Sequence, residues 1–145
     1  PQLNLLVISK YQSFRHNFFD FPSLVFVKPA QDELHRIYSS ATVFASSSWF
    51  EGFGLPGLEA MTCGVPVVTT DSGGVREYAI PEETAVVTLP RNPEALAEGI
   101  VRVLTDEKLR QKLIKNGFEK VKEFDWGRSI DKLEKIFSNT MKQEI

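Results

Sequence analysis

The chain has 145 residues, of which 42% are hydrophobic and 25% charged, and its formal net charge is −2. These values predict one globular domain with a proper core, and they exclude the basic surface that is typical of nucleic-acid binding. The chain has no long apolar run, no signal peptide and no cysteine besides Cys63, which predicts a cytoplasmic protein without an internal disulfide or a membrane span.

Short apolar runs alternate with helical patterns through the first half of the chain. Each run is bounded by polar residues and predicts a strand; the four strands cover residues 3–8, 24–27, 43–45 and 65–69. A helix follows the second strand, capped by Gln31 or Asp32 and ending near Ser40. Phenylalanines between the first two strands have helical spacing, which indicates core packing; they are Phe14, Phe18, Phe19 and Phe21.

The second half continues this alternation and is mostly helical. A strand is predicted at residues 85–89, followed by a helix that Asn92 caps. Thr105 or Asp106 caps the next helix, and Asp125 caps the last one. Apolar positions of the last helix recur at helical spacing and are predicted to face inward; they are Ile130, Leu133, Phe137 and Met141.

Lysine and arginine side chains line the outer faces of the helix that follows Asp106. A solvated surface is the ordinary interpretation of such a face. The alternative is contact with an anionic partner or with an anionic membrane, which would place the protein peripherally at the inner membrane face.

The stretch from Ser48 to Met61 organises the rest of the chain, because it places Glu51 and Glu59 on either side of a glycine-rich turn. Its glycines and its proline predict a tight loop at residues 50–55 that leads into a short helix at 56–63. A glycine follows the predicted helix, where a helix of this length would end.

The predicted turn has the chemistry of an anion site. The amides of Phe53, Gly54 and Leu55 would lie at the positive end of the helix, where free N–H groups bind anions. Glu59, about one turn into the helix, could accept two hydrogen bonds from a vicinal diol, and Glu51 would reach the same hollow from the other side. The alternative is a loop whose glycines only make a turn, with Glu59 favouring the helix dipole.

Strands that alternate with helices predict an α/β fold with a parallel sheet flanked by helices. Ligands of such sheets bind beyond the carboxyl ends of the strands. The loops at 50–55 and 71–74 both carry glycines and both follow predicted strands. We therefore expect them to meet at one edge of the sheet.

The same stretch resembles the signature of retaining nucleotide-sugar glycosyltransferases of the GT-B fold, the "group 1" family. The signature E-G-F-G-L-P-x-L-E-A-M, followed by G-x-P-V-V, corresponds here to Glu51–Met61 and Gly64–Val68. The resemblance extends over roughly residues 3–137. Outside the central motif it is carried by the segment Asp71–Glu77 and by Leu34, Tyr38, Ala41 and Ser48.

The resemblance implies the C-terminal, Rossmann-like half of such an enzyme, which holds the nucleotide-sugar donor. By position, Glu51 would be the catalytic residue that contacts hydroxyls of the transferred sugar, and Glu59 would bind the ribose diol. The turn would offer backbone N–H groups to the sugar and its phosphate through Gly52, Phe53, Gly54 and Leu55. Val27 and Pro29 would line the nucleobase, although Lys28 lies between them where the family often has glycine.

The resemblance also implies what the reaction requires. It implies no metal ion and no cofactor, and transfer with retention at the anomeric carbon. The acceptor, a glycan or a lipid, would bind to an N-terminal half that these residues do not include. An arginine and a lysine that neutralise the departing diphosphate would come from a preceding β–α unit, which is also missing.

We therefore expect residues 1–145 to form a single nucleotide-sugar-binding domain, a fragment of a two-domain enzyme that transfers no sugar alone. The missing strand normally lies at the centre of the sheet. Either the strand at 3–8 shifts into its place or another chain supplies a strand, and open strand edges would favour self-association.

Other functions remain open on the sequence. GT-B architecture also carries sugar-nucleotide epimerases, which use a catalytic histidine, and phosphorylases, which hold pyridoxal phosphate on a lysine. His16 and His35 lie on no strand-end loop, and no lysine has a matching context. A non-catalytic sugar-nucleotide-binding domain would keep the same fold.

Overall fold

The computed structural model describes residues 4–9, 11 and 21–143. The strands in these ranges are β1 (Leu5–Ser9), β2 (Ser23–Val27), β3 (Phe44–Ser46), β4 (Val67–Thr70) and β5 (Ala85–Thr88). The helices are α1 (Gln31–Ser39), α2 (Leu55–Thr62), α3 (Pro93–Thr105), α4 (Glu107–Val121) and α5 (Trp126–Gln143), and 3-10 turns cover Gly74–Glu77 and Lys122–Phe124. The prediction for Phe14, Phe18 and Phe19, and also His16, lies outside the described residues.

All strand pairing is parallel, as predicted, but the strands form two sheets. β1 pairs with β2, and the other sheet has the order β3-β4-β5. In the described part of the chain, no hydrogen-bonded ladder joins one sheet to the other. The first strand therefore pairs with β2 and does not move beside β3, and among the described residues β1 and β3 each keep an open edge.

The core surrounds the central strand β4, whose residues are all buried. Successive side chains of a strand point to opposite faces of its sheet. Val67 accordingly packs in a cluster with Met61 of α2, and Val68 packs in a second cluster with Val103 of α3 and Leu113 of α4. Helices therefore cover both faces of the three-stranded sheet, which is the α/β arrangement that the sequence predicts.

Three of the predicted helix caps are confirmed. The side chain of Asn92 accepts a hydrogen bond from the Ala95 amide, and that of Asp106 accepts one from the Leu109 amide. The Asp125 carboxylate accepts one from the Gly127 amide at the start of α5.

The prediction for the start of α1 is wrong. The helix begins after Ala30, and neither Gln31 nor Asp32 caps it. Instead the Glu33 carboxylate accepts a hydrogen bond from the Ala30 amide. An acid in the first turn can thus satisfy a free amide when the preceding residue has no polar side chain.

The predicted burial is wrong for α5 and for the first two strands. Every apolar side chain predicted to face inward from α5 is exposed by at least 51%, because within the described residues this helix contacts little besides the 3-10 turn at its start. Leu24 of β2 is 60% exposed. In the described residues, the helices pack mainly on the sheet of β3, β4 and β5 or on one another, and they leave β2 largely uncovered. None of the helices in the described ranges has both the length and the apolar character needed to cross a membrane.

Candidate functional site

The glycine-rich turn leads directly into α2, which begins at Leu55, one residue earlier than predicted. Gly54 is the N-terminal capping residue and adopts the left-handed conformation, with φ 82° and ψ 46°. Glycine adopts this conformation without the steric cost that a side chain would bring. Pro56 lies in the first turn, and Gly64, with φ 72°, follows the end of the helix as predicted.

The two glycine-bearing loops lie against each other, as the sequence predicts. The Glu51 amide donates to the Ser72 carbonyl at 2.8 Å, and the Gly74 amide donates to the Glu51 carbonyl at 3.1 Å. A Cβ at Gly74 would overlap the backbone of Gly52 and lie 2.7 Å from the Phe53 Cα atom. Two loops that follow neighbouring parallel strands thus form one edge of the site.

The amides of the turn have no hydrogen-bond acceptor among the described residues. Within the part of the chain that the structure describes, the N–H groups of Phe53, Gly54 and Leu55 donate to no acceptor. They lie at the N-terminus of α2, where the helix dipole adds a partial positive charge. Gly52 is exposed and places no side chain over the backbone. The turn therefore presents uncompensated donors to an anion.

The Glu51 carboxylate lies under the turn. The Ser48 hydroxyl donates to its Oε1 atom at 2.7 Å. Glu51 lines a small cavity of about 20 Å³ together with Gly54, Thr69 and Tyr78. This volume is about that of one water molecule. Glu51 thus has one fixed hydrogen-bond partner and can still accept others.

Tyr78, which also lines this cavity, is 1% exposed. Its hydroxyl donates to the Gly54 carbonyl at 2.5 Å. Burial, with the nearby charge of Glu51, raises the pKa of the hydroxyl to about 12. Tyr78 therefore stays protonated and remains a hydrogen-bond donor at neutral pH.

Glu59 lies on α2 and faces α1. The Tyr38 hydroxyl donates to its Oε2 atom at 3.0 Å. Burial, followed by this hydrogen bond and the charge of Glu59, raises the pKa of Tyr38 far above its ordinary value. Beside the carboxylate is a cavity of about 170 Å³, which is lined by Gln31, Leu34, His35, Tyr38, Glu59, Thr62 and Cys63.

His35 and Cys63 contact each other at the rim of the larger cavity. The Cys63 Sγ atom lies 3.3 Å from His35 Nδ1. The sequence gives neither residue a role in the site. The structure places both of them beside Glu59, and the half-buried thiol is a polar neighbour of this cavity.

The segment predicted to line the nucleobase ends β2. Lys28 has φ 47°, in the left-handed region that favours glycine, and its amide donates to the Ser9 carbonyl at 2.9 Å. This conformation explains why a glycine would suit the position. Val27 and Pro29 line neither of the two cavities, so their contact with a nucleobase stays a prediction.

The structure brings the site residues together in two groups. Glu51 and the turn share the small cavity, whereas Glu59 lines the larger one between α1 and α2. The two carboxylates therefore line different cavities, whereas the sequence predicts one common hollow for both. The sequence gives neither Tyr38 nor Tyr78 a role in the site, although Tyr38 contributes to the family resemblance. They lie 21 and 24 residues from their hydrogen-bond partners, so no local spacing connects them to the turn.

No group of three or more His, Cys, Asp or Glu side chains that could hold a metal ion lies within residues 4–9, 11 and 21–143.

Arg76, in the 3-10 turn after the second glycine-bearing loop, is paired with an acid. It donates to Asp71 from Nε to Oδ1 at 2.6 Å and from Nη2 to Oδ2 at 2.7 Å. This guanidinium lowers the pKa of Asp71.

Comparison with known proteins gives consistent matches. The profile of the family described as "Glycosyl transferases group 1" matches residues 23–120. The chain is 38% identical over 96 residues to the uncharacterized glycosyltransferase MJ1607 of Methanocaldococcus jannaschii, covering 66% of this chain and 25% of that protein. The chain spans about a quarter of the length of the curated relatives it matches.

Solved structures of GT-B glycosyltransferases superpose on the chain. Sucrose-phosphate synthase from Thermosynechococcus elongatus gives a TM-score of 0.76 at 33% identity, over 83% of this chain and 31% of that one. HepE from Anabaena, solved in complex with UDP-glucose, gives 0.71 at 24% identity, over 81% and 32%. At that identity, the likeness to HepE concerns the fold alone.

Proposed function

Because the chain belongs to the glycosyl transferases group 1 family, we propose that residues 1–145 form the single nucleotide-sugar-binding domain of a retaining glycosyltransferase. The observation that carries this proposal is the turn at the start of α2, whose amides are free in the described structure and lie between two glutamates. An anion with a hydroxyl-bearing group on either side fits that arrangement.

The diphosphate is the part of the donor that the turn would bind. The amides of Phe53, Gly54 and Leu55 lie at the positive end of α2. Hydrogen bonds from such donors to a charged oxygen are about twice as strong as neutral ones. Because these donors are backbone groups, the proposal requires no metal ion and no cofactor.

The nucleoside would lie on the Glu59 side of the turn. The carboxylate borders a cavity large enough for part of a ribose, and Tyr38 holds one of its oxygens. The other carboxylate oxygen stays available to a vicinal diol. HepE, which shares the fold, has been solved with UDP and with UDP-glucose, and UDP is therefore the first ligand to test.

The transferred sugar would lie on the Glu51 side, with the backbone of the second glycine loop beneath it. Ser48 fixes one oxygen of Glu51, and the other can accept from sugar hydroxyls. Retention at the anomeric carbon and an acceptor glycan or lipid bound by the rest of the enzyme belong to the same proposal.

A sugar-nucleotide epimerase is less consistent with the geometry. Such an enzyme would place a histidine at the sugar, on the side of Glu51. His35, the histidine within the described residues, instead borders Glu59 on the proposed nucleoside side, and its Nδ1 atom lies 3.3 Å from Cys63 Sγ.

Titration calorimetry with UDP, GDP and ADP in the presence of EDTA tests the proposal. One of these ligands should bind, and Glu59→Ala should weaken its binding by about 1–3 kcal/mol, because the substitution removes charge-assisted hydrogen bonds to the ribose. Glu94→Ala is the matched control, since Glu94 is an exposed acid in the first turn of another helix, α3.

Unchanged affinity in Glu59→Ala would remove this residue from the ribose role. Binding that requires a divalent ion would contradict the proposal that the turn alone holds the diphosphate.

A further inference from the structure

We propose that Tyr78 is a positioning residue: its hydroxyl holds the peptide between Gly54 and Leu55 in the orientation that aims the Leu55 amide at the diphosphate. The inference rests on the proposed function of the turn. Tyr78 lies outside the motif at Glu51–Met61 and follows the second glycine loop in the chain. Its hydroxyl contacts the motif at the Gly54 carbonyl.

The argument begins with the geometry of one peptide group. The carbonyl of Gly54 and the N–H of Leu55 belong to the same planar, trans peptide and point in opposite directions. The Tyr78 hydroxyl donates to that carbonyl at 2.5 Å from the interior, and the Gly57 amide donates to it at 3.1 Å. Two donors thus hold the carbonyl inward, and the Leu55 N–H is directed away from the interior.

The surrounding residues leave room for the hydroxyl and restrict the ring. A Cβ at Gly57 would lie 2.5 Å from Tyr78 Oη, and one at Gly54 would lie 2.8 Å from it. The Phe53 ring packs on the tyrosine with centroids 5.7 Å apart. Both glycines are therefore needed for the hydroxyl to reach the carbonyl, and the ring has little freedom to move.

The protonation state of Tyr78 suits this role. Only the protonated hydroxyl can donate to a carbonyl. Its raised pKa of about 12, caused first by burial and then by the charge of Glu51, keeps it protonated throughout the physiological range.

The three tyrosines of the chain provide a matched set of variants. Tyr78→Phe removes the hydroxyl under the turn, and Tyr38→Phe removes the hydroxyl that contacts Glu59. Tyr11→Phe changes a side chain that is 74% exposed and serves as the silent control. Each variant loses one oxygen atom and keeps its aromatic ring.

The experiment compares UDP with uridine, because the ratio of their dissociation constants isolates the contribution of the phosphates. Tyr78→Phe should weaken UDP binding about threefold to tenfold, the usual worth of one hydrogen bond, and change uridine binding less than about twofold. Tyr38→Phe should weaken both ligands by the same factor, because it acts on the ribose end. If wild type prefers guanine or adenine, the same comparison uses GDP with guanosine or ADP with adenosine.

Each result decides between the two proposals. A wild-type chain that binds no diphosphate more tightly than its nucleoside would contradict the proposed function itself. A preference that is intact in wild type and unchanged in Tyr78→Phe would overturn the role of Tyr78, and so would an equal loss of both ligands. Should Tyr78→Phe lose its folded circular dichroism spectrum, Gly57→Ala decides, because its Cβ displaces the hydroxyl and should produce the same selective loss of UDP.

Discussion

Gly74 lies where the two glycine loops touch, and it has no space for a side chain. A Cβ there would overlap the Gly52 carbonyl, which belongs to backbone and cannot rotate away. We expect Gly74→Ala to lower the free energy of unfolding by about 1–3 kcal/mol, as overpacking of a closely packed site does. Urea denaturation measures the change, and the variant should also lose UDP affinity.

Gly52→Ala is the control for this substitution. A Cβ at Gly52 would meet no atom within 4 Å, so the free energy of unfolding should stay close to that of wild type. Equal stability of Gly74→Ala and Gly52→Ala would show that the two loops do not touch as described.

Single residues of the motif could be predicted from the sequence, whereas their partners could not. Glycines, a proline and two acids in one short stretch predict a turn, a helix start and acceptors, because these properties are local. The hydroxyls that hold Gly54 and Glu59 come from distant segments and become neighbours only through the fold. The left-handed conformation of Lys28 was equally hidden, since lysine is not a residue that indicates it.

At the scale of elements, α5 is a long helix with almost no packing partner in the described residues. Its apolar side chains are 51% to 83% exposed, and its contacts go mainly to the 3-10 turn before it. Most of the stability of a helix in a protein comes from the packing of its apolar face. We expect the amides of α5 to exchange with deuterium on the order of ten to a hundred times faster than those of α4.

Hydrogen exchange detected by mass spectrometry measures this difference, and α4 is a fair reference. It has 15 residues against 18 in α5, but it packs on α2 and α3. Equal protection of the two helices would mean that another surface covers α5 in solution.

The starts of α3, α4 and α5 were predictable and the burial of α5 was not, for one physical reason. Asn92, Asp106 and Asp125 satisfy amides a few residues away, so the sequence alone indicates each cap. The apolar spacing of α5 shows only that one face is apolar. Which surface covers that face depends on the rest of the fold. The prediction that this face is buried assumed a packing partner, and the described residues do not provide one.

For the whole molecule, the division into two sheets is the main departure from a closed α/β domain. β1 and β3 each have an unpaired edge in the described structure, and apolar side chains of β2 and α5 are exposed. Unpaired edges and large apolar surfaces favour association with other chains. We expect the isolated chain to show an apparent mass that rises with concentration in sedimentation velocity.

A monomer mass that does not change from micromolar to submillimolar concentration would contradict this prediction. Leu24→Lys, at the 60% exposed position of β2, separates association through the sheet of β1 and β2 from association through α5. It should weaken the former and leave the latter unchanged.

The parallel arrangement of the strands could be predicted, because alternation of strands and helices requires crossover connections. The pairing of β1 with β2 and the separation from β3 could not. Strand pairing joins residues distant in sequence, and an apolar strand has no local feature that selects one neighbour over another.

The backbone of Glu51 makes two hydrogen bonds with the Asp71–Gly74 loop. Its amide donates to the Ser72 carbonyl, and its carbonyl accepts from the Gly74 amide. These hydrogen bonds fix the peptide groups of Glu51 against the loop, while the carboxylate can still turn about its own side-chain bonds. Asp71, at the start of the same loop, is paired with the exposed guanidinium of Arg76. The position of the Glu51 backbone therefore depends on the second loop, and a change in that loop would shift Glu51 without touching its side chain.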